Sequence, residues 1–324
     1  MDITLNNYIR YQLPESKMFE ILKSRNSKYV TFFIDLLSIA KGLFNKKIVE
    51  IEISKFVENK KHIDTLYKEL KKYIDELNSK FEKYEPYFVV FYEEGISSIH
   101  KSINKNYKSE RRYNFEDSIY ENIYSKLKKF YFELIYKNLN KYDNVSVIYL
   151  KNIEADFTPY YVINKNLMDT KSDENTNFIL SCDKDLLQCL EFDNTFQVVS
   201  RINKGKLEMK IFNKKSALEY LYPKYSYQKY KLDATYIPLV LSIAGDRSDN
   251  IKGIKGYGYA KTIKYISQNN LPPKLYELKK IKDNYQLIKN NFKLIENNYK
   301  LISFEEIINL IPTDILENKI DNMF

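Results

Sequence analysis

The stretch Leu241–Thr262, LSIAGDRSDNIKGIKGYGYAKT, holds four of the chain's seven glycines within fourteen residues, from Gly245 to Gly258. Glycine adopts positive φ and lets backbones approach closely, so the cluster marks tight turns. Gly253, Gly256 and Gly258 punctuate an expected hairpin between two helical patterns. The outward N–H groups of such a hairpin, with those that open the next helix, form a seat for a phosphate. Lys252, Lys255 and Lys261 add positive charge. Just upstream, Asp246 and Asp249 stand three apart and are expected to share one face of a helical turn. Carboxylates repel a nucleic-acid backbone unless a metal ion lies between them. Taken alone, the stretch reads equally well as a glycine-rich loop between surface helices with two solvated aspartates. The rest of the chain breaks the tie.

Working towards the N-terminus, four apolar segments read as strands, and acids follow each. Tyr29–Asp35, YVTFFID, is nearly all apolar, as expected of a strand covered on both faces, and ends in Asp35. Tyr87–Tyr92 runs into Glu93 and Glu94. Val145–Leu150 is followed by Glu154 and Asp156, and Asn177–Ser181 by Asp183 and Asp185. Any one of these acids is most simply a helix cap. Their recurrence is the specific signal. In an open, mostly parallel α/β sheet with right-handed crossovers, the carboxyl ends of the strands lie along one edge, where ligands bind. Asp246 and Asp249 would join that edge. Such a cluster repels itself unless hard divalent cations with a preference for oxygen neutralise it. Two such ions ~4 Å apart are a standard device for phosphodiester hydrolysis.

The remaining segments frame this core. Residues 1–27 read as a polar N-terminal extension. Residues 50–84 have helical spacing, broken at Pro86. The basic run NYKSERR sets Tyr107, Lys108, Arg111 and Arg112 on adjacent helical turns, which suits phosphate contact with base stacking, although a charge run alone is usually a solvated face. Residues 114–140 form an amphipathic helix, and Phe196–Ser200 with Leu207–Phe212 a short hairpin. Helices are expected at Lys214–Leu221 and Tyr236–Ala244, and from Asn269 onward the pattern is helical and very basic.

Composition bounds the function classes. The 324 residues carry 52 Lys+Arg against 43 Asp+Glu, a net charge of +9, which favours a polyanionic partner. There are 30 tyrosines, 19 phenylalanines and no tryptophan. Lys, Asn, Ile and Tyr are all abundant, as AT-rich coding produces, so composition bias supplies part of the charge and aromaticity. Cys182 and Cys189 form no CxxC pair and His62 and His100 are the only histidines, which argues against a Cys/His zinc site and for a reducing compartment. There is neither a run of eighteen apolar residues nor a secretory pattern at the start. The expectation is a cytoplasmic protein with no membrane partner.

With these elements in order, the chain resembles the 5′-nuclease family: flap endonucleases, the 5′-nuclease domains of bacterial DNA polymerases, and phage ribonuclease H-type enzymes. The family's Asp-x-x-Ser is matched by Asp35–Ser38, its Tyr-Lys-x-x-Arg by Tyr107, Lys108 and Arg111, and its Glu-Ala-Asp-Asp in part by Glu154-Ala155-Asp156. Ser-x-Asp-Lys-Asp-Leu-Leu-Gln is matched in full by Ser181–Gln188. Gly-Asp-x-Ser-Asp-Asn followed by Gly-x-x-Gly-x-Gly-x-x-Lys is matched by Gly245–Asn250 and Gly253–Lys261. The resemblance covers roughly Val30 to Ile266.

The resemblance implies a PIN-like α/β catalytic domain over 28–230, with a helical arch at 94–140, and a helical DNA-binding subdomain with a helix-hairpin-helix over 231–324. It implies two Mg²⁺ ions, replaceable by Mn²⁺. Asp35, Glu154, Asp156 and Asp183 would hold the first, and Asp185, Asp246 and Asp249 the second. Lys108 and Arg111 would contact the scissile phosphate. Tyr107, Arg112 and the hairpin residues Gly253, Lys255, Gly256, Gly258 and Lys261 would contact DNA, with K⁺ on the hairpin carbonyls. The implied activity is structure-selective 5′-nuclease cleavage of flaps and ss/ds junctions, with RNA primer removal from RNA–DNA hybrids in replication. With no polymerase module after residue 324, a stand-alone monomer is expected. The chain departs from the family pattern three times, once with His100 or Lys101 where the family usually has a downstream arginine. Glu93 stands where the family has aspartate, and Phe157 replaces the second aspartate of Glu-Ala-Asp-Asp. A catalytically decayed DNA-junction binder on the same fold is the alternative. A PIN-like ribonuclease fits less well, because the glycine hairpin is a duplex-DNA grip in the resembling family.

Overall fold

The structure, a computed structural model, describes residues 13–36, 60–94, 97–108, 138–139, 141–165, 174–203 and 206–324. The elements that position the site are, in chain order, α1 (Glu15–Ser24), β1 (Tyr29–Asp35), α2 (Lys60–Phe81), β2 (Pro86–Glu94), α3 (Ser98–Ile103), β3 (Val145–Lys151), α4 (Thr158–Lys165), β4 (Asn175–Leu180), β5 (Thr195–Asn203) and β6 (Lys206–Phe212). Then come α5 (Ala217–Leu221), α6 (Tyr227–Tyr230), α7 (Ile237–Ala244), β7 (Gly245–Asp246), β8 (Ile251–Lys252), α8 (Tyr259–Gln268), α9 (Leu275–Ile281), α10 (Gln286–Ile302), α11 (Phe304–Ile308) and α12 (Thr313–Lys319).

β1 to β6 form one sheet in the order β3-β2-β1-β4-β5-β6. The first five are parallel and β6 returns antiparallel to β5. The chain turns from one side of β1 to the other between β3 and β4, so the topological switch falls at β1 and β4. Crevices for ligands open at such switches.

Alternation along β1 divides two apolar layers. Val30, Phe32 and Ile34 face one side, where α1 and α2 cover them, whereas Phe33 faces the other. Phe32 sits at the centre of an aromatic group, with ring centroids 5.1 Å from Phe81, 5.4 Å from Phe88 and 6.0 Å from Phe178. α2 meets this layer with Leu70, Ile74, Leu77 and Phe81, the spacing of a helix with one apolar face. On the opposite side, Phe33, Phe91, Ile148 and Ile179 pack against α4, α11 and α12. A third core lies within the helical part around α7, which is buried on all sides from Ile237 to Ile243.

Two boundaries differ from the sequence reading. Residues 1–27 were expected as an extension, yet α1 inserts Met18 and Leu22, both fully buried, under the sheet. The C-terminal segment was grouped with the helical subdomain, but Phe304, Ile307, Leu316 and Ile320 cover the sheet. The predicted arch, residues 94–140, and the helix expected within it lie mostly outside the described residues. Among the described residues, no helix is long and apolar enough to cross a membrane.

Met18→Ala is expected to destabilise the fold by about 2–5 kcal/mol, the range for truncating a buried side chain. Urea denaturation reads this as a lowered midpoint. An unchanged midpoint would make α1 a detachable extension after all.

Candidate metal centre

The parallel strands bring Asp35, Glu93, Glu154, Asp156 and Asp183 towards one edge. The strongest electrostatic influences on Asp156, after burial, come from Glu93, Asp183, Asp35 and Glu154. Burial and these carboxylates push the Asp156 pKa well above the ordinary value. A second group comprises Asp185, Asp246 and Asp249, with one carboxylate oxygen of each lying within 4.8 Å of the others. Burial, then Asp183 and Asp249, push Asp185 well upward too. Asp183 therefore acts on both groups and joins them into one acidic edge.

Two lysines offset part of this charge. Lys108 is ion-paired with Glu154 and has its Nζ 3.8 Å from Asp249. Burial works against ionised Glu154, but Lys108 and then His100 outweigh it and hold the carboxyl below its ordinary value. Lys184 Nζ lies 2.8 Å from Asp246 and donates to Ser248 Oγ at 2.6 Å. The Asp156 and Asp185 sides remain dominated by like charge.

Neutral groups fix the geometry. Tyr107, expected on a helical turn as a DNA contact, instead lies buried in a turn, where its ring has no free face for a base. Its hydroxyl is shared between Glu154 Oε2 at 3.1 Å and Asp249 Oδ2 at 3.0 Å as acceptors. Burial, then Glu154 and Asp249, raise its pKa, so the phenol keeps its proton and acts as a donor. The Lys108 N–H donates to the Asp249 carbonyl at 3.1 Å, and Asn250 Nδ2 donates to the Asn106 carbonyl at 3.1 Å. The Tyr107 segment is thus bolted to the Asp246–Asn250 turn. Ser181 Oγ donates to Asp35 Oδ2 at 2.6 Å and accepts from the Asp183 N–H at 3.0 Å. The Ala155 N–H donates to Glu93 Oε2 at 2.7 Å. Glu93, one methylene longer than aspartate, therefore reaches the loop that carries Asp156.

Asp246 and Asp249 do come together, but not on a helical turn. Asp246 lies in β7, paired antiparallel with β8, and Asp249 in the turn between them. Glycine makes this packing feasible. A Cβ on Gly253 would lie 2.1 Å from the Ala244 carbonyl oxygen, and one on Gly245, where φ is +80°, 2.3 Å from the Gly253 nitrogen. Beyond Gly253, Lys255, Gly256, Gly258 and Lys261 are exposed, and Gly258 caps α8 without a side-chain bond. Phe157 lies in the apolar core beneath the sheet. Arg111 and Arg112 lie outside the described residues, as does the Glu94 side chain.

Two residues outside the expected site set support the site, the first of them His100, which with Lys101 as the alternative falls at the family's arginine position. His100 is buried, accepts or donates at Ser97 Oγ across 2.7 Å, and stacks on Tyr107 with centroids 4.5 Å apart. Burial lowers its pKa. Gln197, fully buried on β5, donates from Nε2 to the Ser181 carbonyl at 3.0 Å and the Asp183 carbonyl at 2.7 Å. Its Oε1 is buried and, among the described residues, has no hydrogen-bond partner. Leaving a buried carbonyl unsatisfied costs about 1–3 kcal/mol, so the amide is costly to keep except for its grip on the turn that carries Asp183. Its only trace in sequence was a polar residue inside the apolar run TFQVV.

The sheet and its acids together define a PIN-like α/β fold with an oxygen-rich, carboxylate-lined edge. Neither a protein-family model nor a curated protein matches the sequence. Solved structures do match. The 5′-exonuclease of phage T5 with bound zinc is 15% identical, with 91% of this chain and 98% of that chain covered at a TM-score of 0.60. A variant of the bacteriophage T5 D15 flap endonuclease, in complex with DNA and metal ions, is also 15% identical, with 91% and 96% covered at a TM-score of 0.60. The chain has the fold of these nucleases over nearly its whole length.

Gln197→Leu keeps the volume and removes the amide. Residues that orient metal-ligating groups typically contribute 10–100-fold to metal affinity. Mn²⁺ titration followed by electron paramagnetic resonance is expected to show about tenfold weaker binding with an unchanged far-ultraviolet spectrum. Equal affinity would reduce Gln197 to a core filler.

Proposed function

We propose that this chain is a metal-dependent, structure-selective 5′-nuclease that hydrolyses phosphodiesters in DNA near ss/ds junctions. The observation that carries the reading is the convergence of two carboxylate groups, joined at Asp183, at the switch point of a sheet whose fold matches DNA-acting nucleases.

The donor set fits hard divalent cations, since it consists of buried carboxylate oxygens with too little internal positive charge. Asp35, Glu93, Glu154, Asp156 and Asp183 would hold one ion, and Asp185, Asp246 and Asp249 a second. Mg²⁺, replaceable by Mn²⁺, would supply Lewis-acid stabilisation to the attacking and leaving oxygens. The chain's own residues do the positioning. Ser181 and Gln197 fix Asp35 and Asp183 relative to each other. Tyr107 spans the two groups with one hydroxyl, so an error in its placement would disturb both. Lys108, poised between Glu154 and Asp249, is the cation best placed to meet the scissile phosphate, with Arg111 beside it in sequence. The exposed hairpin Gly253–Lys261 offers backbone N–H groups and lysines to a duplex, and backbone carbonyls to K⁺. Contacts of this kind carry little sequence information, so recognition rests on the shape of the junction. Flap cutting and removal of RNA from RNA–DNA hybrids by a monomer in the cytoplasm during replication follow from this reading.

The test is cleavage of a 5′-labelled flap duplex and a matched RNA–DNA hybrid in Mg²⁺. Cleavage near the junction is expected, with loss in EDTA and a fall of at least about 10³-fold in Asp183→Asn, whose carboxylate serves both groups. Tight flap binding without cleavage in Mg²⁺ or Mn²⁺ would support the decayed-binder alternative instead.

A further inference from the structure

Against the far end of α8, the helix that follows the hairpin, lies a second basic surface that the site does not use. Lys215, Lys229 and Lys231 are exposed, and among the described residues none of the three makes an ion pair. Neighbouring Lys214, by contrast, lies 3.4 Å from Asp193. The three ammonium groups sit over tyrosine rings. Lys215 and Lys231 are 5.6 and 5.9 Å from the Tyr227 centroid, and Lys229 is 5.2 Å from that of Tyr230. These rings are anchored. Both are half-buried against the helical core, and Tyr230 stacks on buried Tyr225 at 5.7 Å. Lysines held over ring faces lose part of their freedom before any ligand arrives.

The patch is tied to the hairpin helix. Ser267 Oγ on α8 donates to the Tyr230 carbonyl at 2.7 Å, and at the other end of α8 Lys261 lies 4.2 Å from the Tyr257 centroid. Lys261 and Ser267 are six residues apart, a rise of about 9 Å. Successive phosphates of one strand are 3.4 Å apart along the duplex axis, so along α8 the Lys261–Tyr257 pair and the point where the Tyr230 segment is bonded are separated by about three phosphate steps.

We infer that Lys215, Lys229 and Lys231, mounted on Tyr227 and Tyr230, form a second seat for duplex DNA backbone, continuing the track of the Gly253–Lys261 hairpin. The inference rests on the nuclease reading above. Its ligand is a regular polyanion, read by charge and not by sequence.

Fluorescence anisotropy in EDTA, which blocks cleavage, separates the two claims. The full-length Lys215→Gln/Lys229→Gln/Lys231→Gln variant is compared with wild type on a long-armed flap duplex over a range of salt. About tenfold weaker binding near 0.1 M salt is expected, with a log–log salt slope shallower by about 2 to 3, one lost phosphate contact per lysine. A charge control, Lys23→Gln/Lys72→Gln/Lys83→Gln on the α1–α2 side, is expected to retain the wild-type slope. An unchanged slope in the patch variant, or an equal loss in the control, would overturn the second seat while leaving the nuclease reading intact. A wild-type chain that binds no duplex in EDTA and none when Ca²⁺ replaces the EDTA would overturn both.

Discussion

Carboxylates gathered in a buried crevice repel one another, and each lacks the water that would otherwise stabilise its charge. The edge of this sheet accepts that arrangement at Asp35, Glu93, Glu154, Asp156, Asp183, Asp185, Asp246 and Asp249. Lys108 and Lys184 counter Glu154 and Asp246, and Tyr107 gives Glu154 and Asp249 a shared proton donor. Asp156 and Asp185 are left with burial and like charge pushing both upward. A cluster of this kind persists because the scaffold holds it, and in the proposed reading an outside cation completes it.

The scaffold is rigid where it must be. Five parallel strands fix the spacing of their ends, and apolar layers on both faces leave β1 and β4 little room to shift. The second carboxylate group is brought in by a different device. The Asp246–Asn250 turn is closed by the near contact of Gly245 with Gly253 and held from the far side by Asn298, whose Nδ2 donates to the Ser242 and Lys252 carbonyls at 2.8 Å each. The helical core thereby positions Asp246 and Asp249 against an edge built by the sheet. Tyr107, Lys108 and Asn250 lock the two together.

Much of this was legible in the sequence for local reasons. YVTFFID is continuous and apolar, and its strand spans Tyr29–Asp35 as read. The acids after each strand were visible because β-strand length and crossover handedness leave few alternatives. What escaped depended on contacts distant in sequence. Local spacing suggested a helical turn for Asp246 and Asp249, and only the meeting of Gly245 with Gly253 makes it a two-residue bridge. Met18 and Leu22 sit in a polar segment whose burial depends on α2 and the sheet lying beside it. Gln197 gains its role from carbonyls 14 and 16 residues away. Phe304–Leu316 has amphipathic spacing in sequence, but nothing local indicated that its apolar face would meet the sheet beside β3.

The central claim is that the acidic edge is a two-ion centre. Anomalous scattering from crystals grown with Mn²⁺ tests it most directly. The account predicts two peaks, one among Asp35, Asp156 and Asp183 and one among Asp185, Asp246 and Asp249, with Asp183 beside both. A crystal saturated with Mn²⁺ that shows no peak at this edge would contradict it.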